Sequence, residues 1–309
     1  MEFDSIDKLL YIEIIKIMHT IKNNYLQISV KHIGAELCSI KSLLSGKEYM
    51  WNANPKYWGS HAPVLFPIIG SLKNGEFLFE NVKYSIPKHG LIRNNKELTV
   101  DATKCDRLIY SLKYNEKSLK LYPFKFEFHV SYILEENSIV IEHEVINHSD
   151  DNPMYFSVGG HAAFKCPINS NEEYSDYYLE FEKNERVETW DLQQDGLLGP
   201  NKRSLLKDKN KLVLTKELFE KGALIIKEHK SRKVYLKSKK SKQILLIEYP
   251  DFSNLAIWAI PGASFVCIEP WIGLPDNYDT NQDFTLKEGN IKLEKKKKFK
   301  ASYTITIVE

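Results

Sequence analysis

From Thr20 onward the chain is a succession of short apolar-rich segments broken by Asn, Gly, Asp and Lys. In TIKNNYLQISVKHIGAELCSIKSL, Tyr25, Gln27 and Ser29 alternate with Leu26, Ile28 and Val30. A two-residue period is that of a strand with one buried face, and this segment predicts two or three strands. EFLFENVKYSIP predicts a hairpin turning at Asn81, and KFEFHVSYILEENSIVIEHEVINHS a second strand pair around Glu135-Glu136-Asn137. GALIIKEH, KVYLKS, QILLIEY, LAIWAI and KKFKASYTITIVE continue the series to the end. A helical period never persists beyond the first 19 residues, except over residues 215–221. The fold class predicted is mostly β, with closely spaced strands along the whole length.

Two polar stretches interrupt the rhythm. Residues 169–186 mix aromatic and charged side chains and are expected to form an elaborated loop; residues 192–210 hold Gly196, Gly199 and Pro200. No clean linker and no repeat divides the chain, so one domain over residues 20–309 is predicted. Residues 1–19 precede it as an extension. There Asp4 or Ser5 is placed to cap a short helix carrying Leu9, Ile12, Ile15 and Ile17 on one side. A docked helix and a disordered leader are both open, with membrane-surface attachment the weaker alternative. Asp, Glu and Lys run through that apolar stretch, unlike the core of a signal peptide.

Charge narrows the choice of partner. Forty-three Lys and Arg against 41 Asp and Glu leave a formal net charge of +2 over 309 residues. So even a balance builds no broad positive field, and nucleic acid is not an expected partner. The lysine-rich pieces at 237–242 and 295–298 are expected on solvated hairpin faces. A chain of this size buries enough surface to need no disulfide staples. Cys38, Cys105, Cys166 and Cys267 lie far apart, with neither a C-x-x-C pair nor zinc spacing, which is the usage of a reducing compartment. No apolar run is long enough to span a bilayer. A cytoplasmic protein without a membrane partner is therefore expected.

Candidate chemistry sits where the strand rhythm breaks. HAPVLFPIIGSLKNG, residues 61–75, sets two prolines and two glycines in an apolar run, the make-up of a rigid pocket wall. IPKHGLIRN places His89 and Arg93 on a loop just past a strand end. MYFSVGGHAAF runs a strand into Gly159-Gly160-His161, where paired glycines let backbone pass close to a bound group. FVCIEPWIGLPD carries Glu269 after an apolar run; Pro270 suggests that it stands at a strand end, beside Trp271. Each has a plain structural reading: a hydrogen-bonded histidine, a buried ion pair, core tryptophans. A carboxylate in such surroundings is nevertheless costly unless something offsets its desolvation. Trp58, Trp258 and Trp271 are either core or an aromatic platform for a sugar face. No H-E-x-x-H helix, P-loop or nucleophile elbow is present, so no metal is expected.

Taken in order, APVLFPIIG, HG-x-x-R, GGH and CIEPW resemble the aldose 1-epimerase (galactose mutarotase-like) family, in its LacX-like branch. The resemblance covers residues 20–309. It implies a β-supersandwich of large antiparallel sheets with a sugar cleft, and interconversion of the α and β anomers of an aldose such as galactose or glucose; a closed sandwich with no coiled-coil or swapped element is expected to be a monomer. No cofactor is implied, because no electron moves. By motif, the general acid falls on His161, the general base on Glu269 and a sugar-contacting histidine on His89. The acid and base are expected on opposite sides of the reacting centre. Trp271 is the candidate platform. Two positions depart from the family pattern: Ser71 stands where an arginine is usual, and Gly222 where an aspartate is frequent. Lys73 or Lys221 is a candidate substitute. Arg93 is retained, and in relatives acting on hexose 6-phosphates an arginine of this motif helps to hold phosphate. The expected partner is a monosaccharide or a sugar phosphate, and the alternatives are a hexose-6-phosphate 1-epimerase and a non-catalytic carbohydrate-binding protein.

Overall fold

A computed structural model of the protein describes residues 18–241 and 244–308. The helix expected before residue 18 lies outside them. The described residues form twenty-two strands. In the first half these are β1 (Met18–Lys22), β2 (Leu26–Lys31), β3 (Glu36–Ser42), β4 (Val64–Leu65), β5 (Glu76–Phe79), β6 (Val82–Ser85), β7 (Thr99–Thr103), β8 (Arg107–Lys113), β9 (Phe126–Glu135), β10 (Ser138–Asn147) and β11 (Met154–Phe156). The second half adds β12 (Val158–Gly160), β13 (Ala162–Lys165), β14 (Tyr177–Leu192), β15 (Leu198–Val213), β16 (Leu224–Ile226), β17 (Lys233–Ser238), β18 (Leu245–Glu248), β19 (Asn254–Trp258), β20 (Phe265–Ile272), β21 (Ile291–Leu293) and β22 (Lys298–Ile307). The mostly β class is as predicted. β1, β2 and β3 account for the first predicted group, and Glu80 and Asn81, both at positive φ (51° and 61°), turn the β5–β6 hairpin where expected.

Fifteen strands form one antiparallel sheet in the order β4-β12-β20-β19-β16-β14-β17-β18-β22-β10-β9-β8-β7, with β13 also on β20 and β15 on β14. The sequence explains which parts are wet. β9 and β10 alternate buried and part-exposed residues, one face on the core and one on solvent. β20 instead reads as an unbroken buried run from Phe265 to Trp271, because it is covered on both faces. Ile268 packs into the main core, whereas Trp271, Ala256 and Ile225 form a smaller cluster with Leu65, Ile69 and Leu198.

Two expectations are corrected. The loop expected over residues 169–186 is instead largely strand, part of a hairpin of two 16-residue strands, β14 and β15, that also takes in most of the polar stretch 192–210. Tyr177, Leu179, Phe181, Val187 and Thr189 are buried at alternate positions, while the charges that resembled a loop face outward and pair across the hairpin, as Lys211 does with Glu180 and Lys202 with Glu188. Glu269 is not at a strand end either. It lies inside β20, because Pro270, which has no N–H to donate, sits where β20 passes from pairing with β13 to pairing with β12. Over residues 215–221 only the single turn Glu217–Phe219 is helical. Lys239, Lys240 and the lysines of 295–298 are solvated as expected, with Lys240 on Asp176 and Lys296 on Asp150, each at 2.7 Å, whereas Lys237 is part-buried on Glu180 and Lys242 lies outside the described residues.

Candidate active site

Sheet register brings the site together. Ala162 pairs with Ile268 and Gly159 with Trp271, a common register that sets His161 directly opposite Glu269. On the other side of β20, Glu269 pairs with Ala256, Ala256 with Ile225, and Ile225 with Trp190. One transverse row across five strands therefore runs His161, Glu269, Ala256, Ile225, Trp190. Side chains in such a row share a face and touch their neighbours.

His161 Nε2 and Glu269 Oε2 are 3.2 Å apart, at 8% and 1% residue exposure. The approach lacks hydrogen-bond alignment: Glu269 Oε2, His161 Nδ1 and the Trp271 indole nitrogen are all buried without a partner. Three unpaired polar atoms on residues lining one cavity are an arrangement that a polar ligand completes. Trp58 stacks on the His161 ring at 4.9 Å and 29°, Trp258 meets it edge-on at 5.8 Å, and His89 edge-on at 5.5 Å. These three rings fix the imidazole's plane.

His89 has its own anchor. Its backbone N–H donates to Gly70 O at 2.9 Å, and its Nδ1 accepts from Gly70 N–H at 3.2 Å. An accepting Nδ1 leaves Nε2–H as a donor in the neutral ring. Burial, then the charges of His161 and Lys88, hold His89 well below the usual imidazole range. Gly159 makes the close approach possible, since a Cβ there would lie 2.8 Å from Pro270 O and 2.7 Å from the Trp271 ring.

The cavity, about 350 Å³, is walled by Trp58, Trp258, Trp271, His89, Arg93 and Lys88 around the pair, with Leu192, Gly196 and Gly222 at its edge. Of two hollows elsewhere, about 580 and about 670 Å³, the first is lined by His229 and several carboxylates, but His229 makes no ion pair among the described residues, and the second has no histidine in its wall. Burial pushes the Glu269 carboxyl well up, with Lys88 and Arg93 pulling the other way. Burial, reinforced by Arg93, pushes His161 down to about 3. Both groups thus favour their neutral forms.

His161, Glu269, His89, Arg93 and Trp271 come together as the sequence suggests. Lys73 does not join them: its amine donates to Thr280 O at 3.3 Å, outside the cavity wall. Lys221 is likewise outside. Ser71 stands behind the edge, where a Cβ on Gly196 would lie 3.1 Å from its Oγ. His161 and Glu269, expected on opposite sides of the reacting centre, are adjacent. Sequence reasoning missed Lys88, although it lies in the motif of His89, and it missed the contribution of Leu192 and Gly196, which no local pattern announces.

A family model described as aldose 1-epimerase matches residues 18–290. The chain belongs to the aldose 1-epimerase family. That makes it an aldose 1-epimerase-type isomerase, a mutarotase of a hexose. It is 36% identical over 305 residues to the plasmid-borne Protein LacX of Lactococcus lactis subsp. lactis, covering 93% of this chain and 98% of that one. A galactose mutarotase related enzyme from Lactobacillus acidophilus superposes with a TM-score of 0.89 at 35% identity, over 94% of this chain and 97% of the other. A galactose mutarotase-like protein from Lactobacillus casei gives 0.88 at 25% identity, over 94% and 100%. The large antiparallel sheets are accordingly those of the galactose mutarotase-like β-sandwich. Among the described residues no helix is long and apolar enough to cross a membrane.

Proposed function

We propose that this epimerase interconverts hexose anomers with His161 and Glu269 as its proton-transfer pair. The observation that carries the assignment is their position as opposed residues of one sheet row, buried, 3.2 Å apart and without other partners. Glu269 takes the proton of the anomeric hydroxyl while His161 protonates the ring oxygen, the ring bond breaks, and the open aldehyde forms. Rotation about C1–C2 presents the other carbonyl face. Reversing both transfers closes the ring as the other anomer. Burial favours the proton on Glu269, one short transfer from His161. His89 Nε2–H and the Trp271 indole N–H are placed as donors to sugar oxygens, and the indole faces as platforms for its C–H groups.

The second reading, a phosphorylated hexose, is favoured by one feature: Lys88 and Arg93 both border the cavity. A guanidinium and an ammonium suit a phosphate that a neutral hexose lacks.

Proton NMR of freshly dissolved α-galactose, α-glucose and α-glucose 6-phosphate tests both readings. Equilibration faster than in buffer is expected, falling about 10²–10⁴-fold in Glu269→Gln, the usual contribution of a positioned acid or base. Unchanged catalysis in that variant would remove Glu269 from the mechanism. The favoured sugar ranks the two substrates, and a phosphosugar preference that survives Arg93→Ala would exclude a phosphate role for Arg93. Sugar binding without acceleration of any of the three would support the non-catalytic alternative.

A further inference from the structure

We propose that His161, Cys267 and Glu269 form a three-ligand site for a zinc-type divalent cation, which on binding occupies both proton-transfer groups and reversibly silences the enzyme. The silencing rests on the roles assigned above; the binding does not.

Cys267 lies two residues before Glu269 on β20, so its thiol shares the cavity-side face of the strand. Its register partners are Ala163, two residues after His161, and Trp258. One ligating atom from each of Cys267, Glu269 and His161 lies within 4.8 Å of the others, and all three residues are buried. Tetrahedral bonds of about 2.0–2.3 Å place ligand atoms roughly 3–4 Å apart, so modest side-chain rotation closes the set. A buried cysteine is ordinarily a small apolar residue. Here the nearby Glu269 carboxylate has an oxygen, Oε2, left without a hydrogen-bond partner, which a coordinated ion would satisfy.

Charge and ligand type select the ion. A dication with one thiolate, one carboxylate and one neutral imidazole is neutral overall, the one ionic state that so dry a site holds without a net buried charge. Sulfur, nitrogen and oxygen together suit zinc and its neighbours, and not magnesium or calcium, which take oxygen alone. His161 and Glu269 line the cavity, and Cys267 is buried behind its wall. On binding, the ion gives up water, and the Cys267 thiol and the Glu269 carboxyl each release a proton to solvent; no electron is transferred. Lys88 and Arg93 face the site and repel a cation, so occupancy is reversible rather than structural.

Cobalt(II) is the probe. The full chain, stripped with a chelator, is titrated with Co²⁺ and followed in the near ultraviolet for thiolate-to-cobalt charge transfer. One equivalent is expected to raise the band, and zinc to bleach it. Cys267→Ala, checked for folding by circular dichroism, with Cys267→Val as the second variant, is expected to lose the band and weaken cobalt binding about tenfold or more. No band at saturating cobalt, or a band that persists in the folded variant, overturns the site. In parallel, zinc is expected to slow anomer exchange by wild type, with a chelator restoring it. The zinc midpoint of Cys267→Ala, relative to its own chelator-treated rate, is expected to rise about tenfold or more. Equal midpoints overturn the silencing. If no sugar is epimerised at all, the cobalt spectrum still decides the binding.

Discussion

Glu269 and His161 are held neutral by burial, and that fixes the shape of the enzyme's pH response. The pair works with one transferable proton. Adding a second charges His161, lowered to about 3, while removing the first ionises Glu269, whose raised carboxyl holds its proton above the ordinary range. The free-enzyme profile of kcat/KM is therefore expected to hold on the acid side down to about 3, and to fall on the alkaline side through the Glu269 ionisation. An acid limb near the ordinary imidazole value of 6.5 would contradict this. A second carboxylate makes the opposite case. Burial alone would raise Glu36, but bonds from the side chain and backbone of His61 and from Lys31 more than offset it and hold it at about 2. A depressed carboxyl stabilises the fold above its unfolded value, here 4.5, and that stability is lost as pH falls through about 2. The difference amounts to about 3 kcal/mol. Urea midpoints across that range are expected to drop less steeply in Glu36→Gln than in wild type, other depressed carboxyls such as Glu172 and Glu185 carrying the rest, and the variant starts lower at neutral pH.

At the scale of elements, β12 and β20 depend on a gap where Gly159 has no side chain. Gly159→Ala pushes a methyl against the Pro270 carbonyl, which cannot swing away as a side-chain end can. The expected cost is about 1–3 kcal/mol, with a loss of catalysis as His161 leaves its place opposite Glu269; denaturant melts and anomer exchange read the two effects. This is also where the sequence was legible. Paired glycines before a histidine, and HG-x-x-R after a strand, are residue types chosen for local conformation, and they show through without a structure. The β14–β15 hairpin was not legible. Its outward charges raise polarity to that of a loop, and only pairing across sixteen residues distinguishes them. Glu269 was misplaced for a related reason: proline is a sound marker of a strand end, and here it marks a change of partner. Lys73 was misjudged because its distance along the chain said nothing of the Thr280 carbonyl that takes its amine.

Across the whole molecule, one fifteen-stranded sheet runs from β4 to β7 without a break, and the cavity lies over strands that it shares with the main core. Among the described residues this sheet carries no boundary between the cavity strands and the rest. Unfolding is therefore expected to be one event. Far-ultraviolet dichroism, which reports the sheet, and fluorescence of the tryptophans, Trp51 in the main core and Trp190 against the smaller cluster, are expected to give the same denaturant midpoint. Two midpoints would show a separable unit.

The row from His161 to Trp190 also sets how this sequence can change over generations. A single residue inserted or deleted between 265 and 269 turns Glu269 to the opposite face, among the side chains around Ile268, and takes the carboxylate out of the cavity. At the hairpin end, residues 193–195 are exposed and join two strands whose register already shifts. A change of length there is expected to reshape the cavity edge at Leu192 and Gly196. A lineage built on this plan can trade one sugar for another by altering chain length in the hairpin, while the reading frame of β20 keeps the proton transfer in place.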